Sequence, residues 1–221
     1  RGSDSLIIKR NCGKFRLFIG RRNFLYIRRK GIIMRKTFNA LDISRKVIAS
    51  RVHEGDICID ATAGRGNDTA YLSELAGESG KVIAFDIQQE AIDSTAKLLE
   101  EKGLSDRAEL ILGSHTQMDS YAEEGTVSCI TFNFGWLPGG DHTVHTMKDT
   151  SIEAVKKALR LIKQGGLISM ILYYGRDTGF EEKEALLEFV KTIDSAEYSV
   201  ITVDFSNRPN CPPIPIFILR E

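Results

Sequence analysis

Apolar runs and polar, glycine-broken stretches alternate along most of the chain, and the pattern predicts strands and helices in turn. Leu41, Ile43, Val47, Ile48 and Val52 recur near helical spacing and predict a helix over 39–52, with Asp42 a candidate cap. The run from Ile57 to Ile59 is short, β-branched and apolar, which suits a strand buried on both faces of a parallel sheet; the strand is placed over 56–62. A helix from about 68 to 76 follows, then a second strand, Lys81–Asp86. Residues 89–102 have high helix propensity, with Ala91, Ile92, Leu98 and Leu99 apolar, and Gly103 ends them. The third strand is 108–113, after which Ser114, His115 and Thr116 open a short helical segment. Residues 126–132 form the fourth strand. An amphipathic helix over 148–163 is expected to stop at Gly165-Gly166, and Leu167–Tyr174 is a fifth, wholly apolar strand. A helix over 180–193 carries glutamates on its expected solvent side. Two last strands, 198–205 and 214–219, are joined by too few residues for a crossover helix, so they are expected to pair antiparallel.

Five βα units closed by an antiparallel pair predict an α/β fold. The sheet is seven-stranded and mostly parallel, with an antiparallel last strand pair, the Rossmann-like arrangement of class I methyltransferases. With 221 residues and 42% hydrophobic content, the chain suits one such domain with a sizeable core. No apolar run approaches the roughly 20 residues that span a bilayer, and a cytoplasmic protein with no membrane partner is expected.

Charge divides the chain. Residues 1–33 hold ten Lys or Arg and one Asp, a balance of +9; with 30 basic and 30 acidic residues in all, residues 34–221 carry −9. In Lys14–Lys30 the basic residues interleave with aromatic ones, which fits an RNA-binding arm, since cations bind phosphates and rings stack on bases. A second reading carries more weight. Met34-Arg-Lys-Thr-Phe reads as a natural start, Arg28-Arg29-Lys30 is what a purine-rich ribosome-binding site encodes when translated, and Arg1-Gly-Ser resembles an expression remnant. Residues 1–33 are therefore expected to be a dispensable, non-native extension of a domain over 34–221.

Cys12, Cys58, Cys129 and Cys211 form no C-x-x-C pair, and His142 and His145 lack acidic or thiol partners at ligand spacing, so no metal is expected. The chemistry lies instead where strands end. After Asp60 the chain reads Ala-Thr-Ala-Gly-Arg-Gly-Asn-Asp-Thr69; Gly64 and Gly66 remove Cβ atoms where a ligand approaches the backbone, and Asn67 or Asp68 is expected to cap the next helix. The third glycine of a dinucleotide fingerprint and the Gly-Lys-Ser/Thr of a P-loop are both missing. Asp60 suits an ammonium over the turn and would repel a pyrophosphate. Asp86 follows Gly64 by 22 positions, near the spacing of a ribose-binding acid. An amino group and a ribose together describe S-adenosylmethionine. Ser114 and His115 suit the adenine edge, although His115 reads equally well as a simple helix-start residue.

The fourth strand runs into Asn133-Phe-Gly-Trp-Leu-Pro-Gly-Gly-Asp141, where the transfer chemistry is expected. The Asn133 oxygen and nearby backbone carbonyls can hold the N–H groups of an amine while its lone pair faces a methyl donor. Trp136 can stack on a flat base, and Asp141 can take the amine's proton or hold it by charge. The plainer reading makes Leu137-Pro-Gly-Gly an ordinary turn and Trp136 a buried hydrophobe.

Together Asp60–Thr69, Gly113-Ser-His115 and Asn133–Asp141 resemble a bacterial family named for rRNA methylation and associated with wobble-uridine modification in tRNA. The resemblance covers about residues 34–221. It implies a homodimeric, S-adenosylmethionine-dependent N-methyltransferase that methylates the aminomethyl group of 5-aminomethyl-2-thiouridine in the tRNA anticodon region. It places cofactor contacts around Asp60, Ala61, Gly64, Asn67, Asp68, Asp86 and His115, and substrate contacts around Asn133, Trp136 and Asp141; Thr62, Gly66, Ile87, Ser114 and Asn133 are further candidates for cofactor contact. The chain departs from the family at Tyr173-Tyr-Gly-Arg-Asp177, where a His-Pro pair is expected after the glycine, and at Trp136, where tyrosine is usual. Lys148, Lys156, Lys157, Arg160, Arg176 and Arg208 are the candidates for phosphate contact. Rival readings are an rRNA or small-molecule amine methyltransferase, a nicotinamide-dependent dehydrogenase, and a noncatalytic RNA-binding or cofactor-sensing module.

Overall fold

The computed structural model describes the backbone of four strands within 8–34, and residues 39–135, 146–175 and 179–221 in full. Trp136, Asp141, the two histidines of 142–145, Arg176 and Asp177 lie outside the described residues.

Two compact units divide the chain, Arg1–Asn39 and Ala40–Glu221. In the first, β1 (Ile8–Asn11), β2 (Lys14–Ile19), β3 (Asn23–Arg28) and β4 (Gly31–Met34) pair in sequence order, each antiparallel to the next. Leu17–Ile19 and Phe24–Ile27 are short runs of apolar and aromatic residues rich in strand formers, separated by Gly20-Arg-Arg-Asn23.

The second unit contains α1 (Ala40–Ala49), β5 (Ile57–Asp60), α2 (Asn67–Ala76), β6 (Lys81–Asp86), α3 (Gln89–Lys102), β7 (Ala108–Leu112), β8 (Val127–Phe134), α4 (Lys148–Leu161), β9 (Ile162–Leu172), α5 (Phe180–Val190), β10 (Tyr198–Thr202) and β11 (Ile214–Arg220). Its seven strands stand in the order β10-β11-β9-β8-β5-β6-β7. The pairs β5–β6, β5–β8, β6–β7 and β8–β9 are parallel, whereas β11 pairs antiparallel with both β9 and β10. This is the seven-stranded arrangement the alternating pattern predicts.

Strand pleating sorts the core. Ile59, Ile130, Phe132, Ile168, Met170 and Ile216 pack in one cluster with Ala154, Val155 and Ala158 of α4 and Leu186 of α5. Their neighbours Cys58, Cys129, Leu167 and Phe217 face the opposite way, toward Ile48 of α1 and Leu72 of α2. Sheet order reverses between β5 and β8, so a crevice opens beyond their carboxyl ends.

Several local expectations need correction. Helix α1 starts at Ala40, which puts Asp42 in its first turn rather than at its cap. At the start of α2 the cap position is Gly66, at φ 79°, with no side-chain cap; Asn67 and Asp68 are already helical. Gly165-Gly166 does not stop α4. That helix ends at Leu161 because Ile162 is extended and begins β9 at once, and the two glycines lie inside the strand, where its register with β8 shifts between Val127 and Cys129. A Cβ on Gly166 would stand 3.0 Å from the Ser128 oxygen, so the irregular pairing depends on glycine there. On α5, Glu182 is only 6% exposed, although its helix reads as glutamate-rich on a solvent face.

Candidate functional site

The ends of β5, β6 and β8 bring together most of the residues singled out in sequence. Asp60 closes β5 and is fully buried. One carboxylate oxygen accepts from the Thr69 hydroxyl at 2.6 Å, and the other from the Thr62 N–H at 3.2 Å. The Thr131 hydroxyl lies 3.4 Å from that second oxygen. Burial raises the Asp60 carboxyl to about 7, with the negative charges of Asp68 and Asp86 adding to the effect.

The glycine turn is fastened from outside by Asp86, which accepts from the N–H of Gly64 at 2.9 Å and from the N–H of Gln88 at 2.9 Å. Gly64 and Gly66 both have positive φ. At Gly66 a Cβ would lie 2.9 Å from the Thr95 Cα, so no larger residue fits there without backbone movement. Ala61 is buried beneath the turn, its N–H donating to the Thr131 carbonyl at 2.9 Å, while Asn67 and Ile87 are exposed at the crevice margin.

Asn133 spans the crevice. Its backbone N–H donates to the Thr62 hydroxyl at 2.7 Å, and its side-chain Nδ2 donates to Asp68 at 2.8 Å. A carboxylate only accepts, so this contact turns the Asn133 oxygen away from Asp68 and leaves it as the atom offered to a ligand. The two backbone carbonyls that follow are already engaged: Phe134 accepts from the Tyr173 N–H at 2.9 Å and Gly135 from the Thr146 N–H at 3.0 Å. The side-chain oxygen of Asn133 is therefore the principal acceptor, ahead of the carbonyls expected to assist it. Burial pushes the Tyr173 phenol up to about 12, aided by the charge of Asp68, and keeps it protonated.

Ser114 caps the short helical segment His115–Ser120, its hydroxyl accepting from the Thr116 N–H at 3.2 Å. His115 turns inward. Its ring stands edge-on to Phe132 and Phe134, with centroids 6.2 and 6.4 Å away, and its Nε2 is buried without a hydrogen-bond partner. Burial lowers its pKa, which favours the neutral ring.

Three functional positions escaped the sequence reading. Thr69 is the closest hydrogen-bond donor to Asp60. Arg45 of α1 lies beside Asp68, with Nη2 4.0 Å from its carboxylate. Glu182 reaches in from α5 and accepts from the hydroxyls of Thr146 at 2.8 Å and Ser151 at 2.5 Å; Thr146 in turn accepts from the Gly135 N–H at 2.9 Å. Gly135 and Thr146 flank residues 136–145, so Glu182 holds both ends of that segment together. No sequence spacing links these three pairs, but Thr146, Thr150 and Ser151, close after a glycine-rich stretch, mark a region rich in hydroxyls. Of the basic candidates for phosphate, Lys157 is taken up with Asp119 at 3.0 Å and Arg160 with Glu124 at 3.2 Å.

The site suits a ligand that carries positive charge. Three carboxylates, Asp60, Asp68 and Asp86, converge on one turn, and a cation there offsets the repulsion by Asp68 and Asp86 that adds to burial in raising Asp60. Among the described residues no three side chains form a metal-binding group.

Comparisons with known proteins agree on one kind of molecule. Residues 82–219 match the family described as "Putative rRNA methylase". Over 191 residues the chain is 35% identical to the tRNA (mnm(5)s(2)U34)-methyltransferase, chloroplastic, of Arabidopsis thaliana, covering 82% of this chain and 70% of that protein. A solved structure from Clostridium thermocellum that bears the family's description superposes with a TM-score of 0.82 at 46% identity, covering 85% of this chain and all of that one. The structure of SMU.1697c from Streptococcus mutans in complex with SAH superposes with a TM-score of 0.76 at 33% identity, covering 84% of this chain and 99% of that one.

Proposed function

We infer the reaction from the family to which this chain belongs, that of the rRNA methylases: the protein is an S-adenosylmethionine-dependent methyltransferase, and we propose that it acts on an amine in RNA. The cofactor supplies an electrophilic methyl group carried on a positively charged sulfonium. Asp86, the Gly64–Gly66 turn and the buried Asp60–Thr69 pair form its cradle, with Asn67, Ile87 and Ser114 on the margin.

One observation carries the choice of nitrogen as acceptor. Asp68 accepts an N–H of the Asn133 side chain and so leaves the Asn133 oxygen for a ligand in the crevice. An acceptor oxygen there holds an amine N–H and keeps the nitrogen lone pair directed at the methyl carbon, a gain of orientation rather than of acid–base strength. No covalent nucleophile is needed. Asp141 is assigned as the group that takes up the proton released by the amine, and Trp136 as the ring that stacks on the base.

The substrate we propose is the aminomethyl group of 5-aminomethyl-2-thiouridine at the tRNA wobble position, by analogy with the Arabidopsis relative. A flipped or single-stranded anticodon base fits a site without a strongly basic surround, since base stacking and amine recognition then carry selectivity. Mass spectrometry of tRNA nucleosides from cells with and without the gene tests this. Loss of the methylaminomethyl nucleoside with accumulation of the aminomethyl form is expected; an unchanged ratio, together with loss of a methylated rRNA nucleoside or a small amine, would move the assignment to that substrate.

A further inference from the structure

Beside the three carboxylates of the transfer site stands the guanidinium of Arg45, which among the described residues has no carboxylate nearer than 4.0 Å. The guanidinium of Arg45 lies over the Tyr71 ring, 5.1 Å from its centroid, and the Tyr71 hydroxyl donates back to the Arg45 carbonyl at 2.9 Å. Ring and carbonyl together fix where the guanidinium sits. Its Nε is buried without a hydrogen-bond partner, and its Nη2 is 4.0 Å from Asp68, beyond hydrogen-bond reach. Asp68 is already engaged by Asn133. The planar donor fork of Arg45 is thus pre-positioned with its strongest bonds unmade, whereas an arginine built for stability closes on a carboxylate at shorter range.

We propose that Arg45 is an oxyanion-binding residue of the transfer site. The inference rests on the methyltransferase reading and adds a role nothing above assigns. Two oxyanions can reach such a position: the carboxylate on the amino-acid end of the cofactor, or a phosphate next to the target nucleoside. The local charge pattern explains why a cation is needed for either. Asp60, Asp68 and Asp86 favour the positive groups of a bound ligand and repel its negative ones, so a zwitterionic or phosphorylated ligand requires a compensating cation at the same rim.

Calorimetry separates the sources. S-adenosylhomocysteine carries the carboxylate, and 5′-methylthioadenosine shares its sulfur and nucleoside but lacks the amino-acid end. If Arg45 takes the cofactor carboxylate, Arg45→Gln weakens S-adenosylhomocysteine about tenfold and leaves methylthioadenosine unchanged, the loss of one charge-assisted bond. If it takes a substrate phosphate, both affinities stay, KM for tRNA rises about tenfold, and the salt slope of tRNA binding falls by about one. Equal weakening of both nucleosides, or no change in either affinity or in KM, overturns the proposal. Should Arg45→Gln not fold, Arg45→Lys keeps the charge and stem but loses the fork, and wild-type values in all three measurements overturn it equally. A wild-type protein that binds neither nucleoside would instead sink the methyltransferase reading.

Discussion

The side-chain amide of Asn133 donates to the carboxylate of Asp68 across 2.8 Å, joining the tip of β8 to the first turn of α2. Through this bond the helix we propose to cradle the cofactor also fixes the side chain we propose to meet the substrate. Replacing Asn133 with Ala should therefore leave S-adenosylhomocysteine affinity within about twofold while turnover falls on the order of a hundredfold, the scale of losing one pre-positioned polar group. Calorimetry alongside single-turnover kinetics checks both halves; unimpaired turnover would remove Asn133 from the reaction.

Asp60 gives the apo protein a pH signature. Its carboxyl is raised from 3.8 to about 7 by burial and neighbouring acids, so across that window the native state binds more protons than the unfolded chain. Its contribution to stability is fully present below about pH 4 and is lost as the pH rises through 7. Urea titrations between pH 4 and 8 should show this fall in the wild type. Asp60→Asn should flatten it, and the difference between the two proteins reads the contribution of Asp60 alone.

Glu182 is expected to behave as a positioning residue. Glu182→Ala leaves the hydroxyls of Thr146 and Ser151 without their buried acceptor, at a stability loss on the order of 2 kcal/mol. Methyl transfer should fall further than cofactor binding, because the ends of segment 136–145 come apart while the Gly64 turn stays intact. Glu182→Gln keeps one acceptor oxygen and should restore part of kcat, which simple destabilisation would not predict.

Gly66→Ala tests the turn itself. At φ 79° and with Thr95 backbone 2.9 Å from the added Cβ, the substitution is strained in both conformation and space. A stability loss of about 1–3 kcal/mol is expected, with cofactor affinity lowered by an order of magnitude or more. Thermal melts with and without S-adenosylhomocysteine separate the two effects.

Much of this molecule can be read from periodicity. Strands β5, β6, β7 and β8 and helix α3 fall within two residues of the expected bounds, because each is an unbroken apolar run or a 3.6-residue pattern closed by glycine. The antiparallel last pair follows from a loop too short to cross over. Site residues next to the glycine turn were legible for the same reason: strand ends are where a parallel sheet presents its side chains. Glu182 and Arg45 were not. Each lies on a helix whose charges give no sign of burial or of a partner, and only tertiary structure, α5 packed on α4 and α1 laid on the sheet within reach of Tyr71, buries a carboxylate in one case and aims a guanidinium in the other. The cap of α2 was misread because Asn67 and Asp68 both have cap chemistry, whereas the close approach of α3 at Thr95 demands a glycine one residue earlier. Over 14–28 the short apolar runs are broken by clustered arginines, so the strands there carry no clean period of two.

The strand order has a consequence for synthesis. Strand β11 follows β10 in sequence, yet it lies between β9 and β10 and bonds to both. Every site residue named here leaves the ribosome before it does. The crevice strands β5, β6 and β8 can pair while β9 still shows an open edge, and among the described strands β10 has no partner until residues 214–220 arrive. A nascent chain stalled short of Ile214 thus carries the crevice strands beside a sticky, half-built sheet, which makes the insertion of β11 a step where chaperone protection matters.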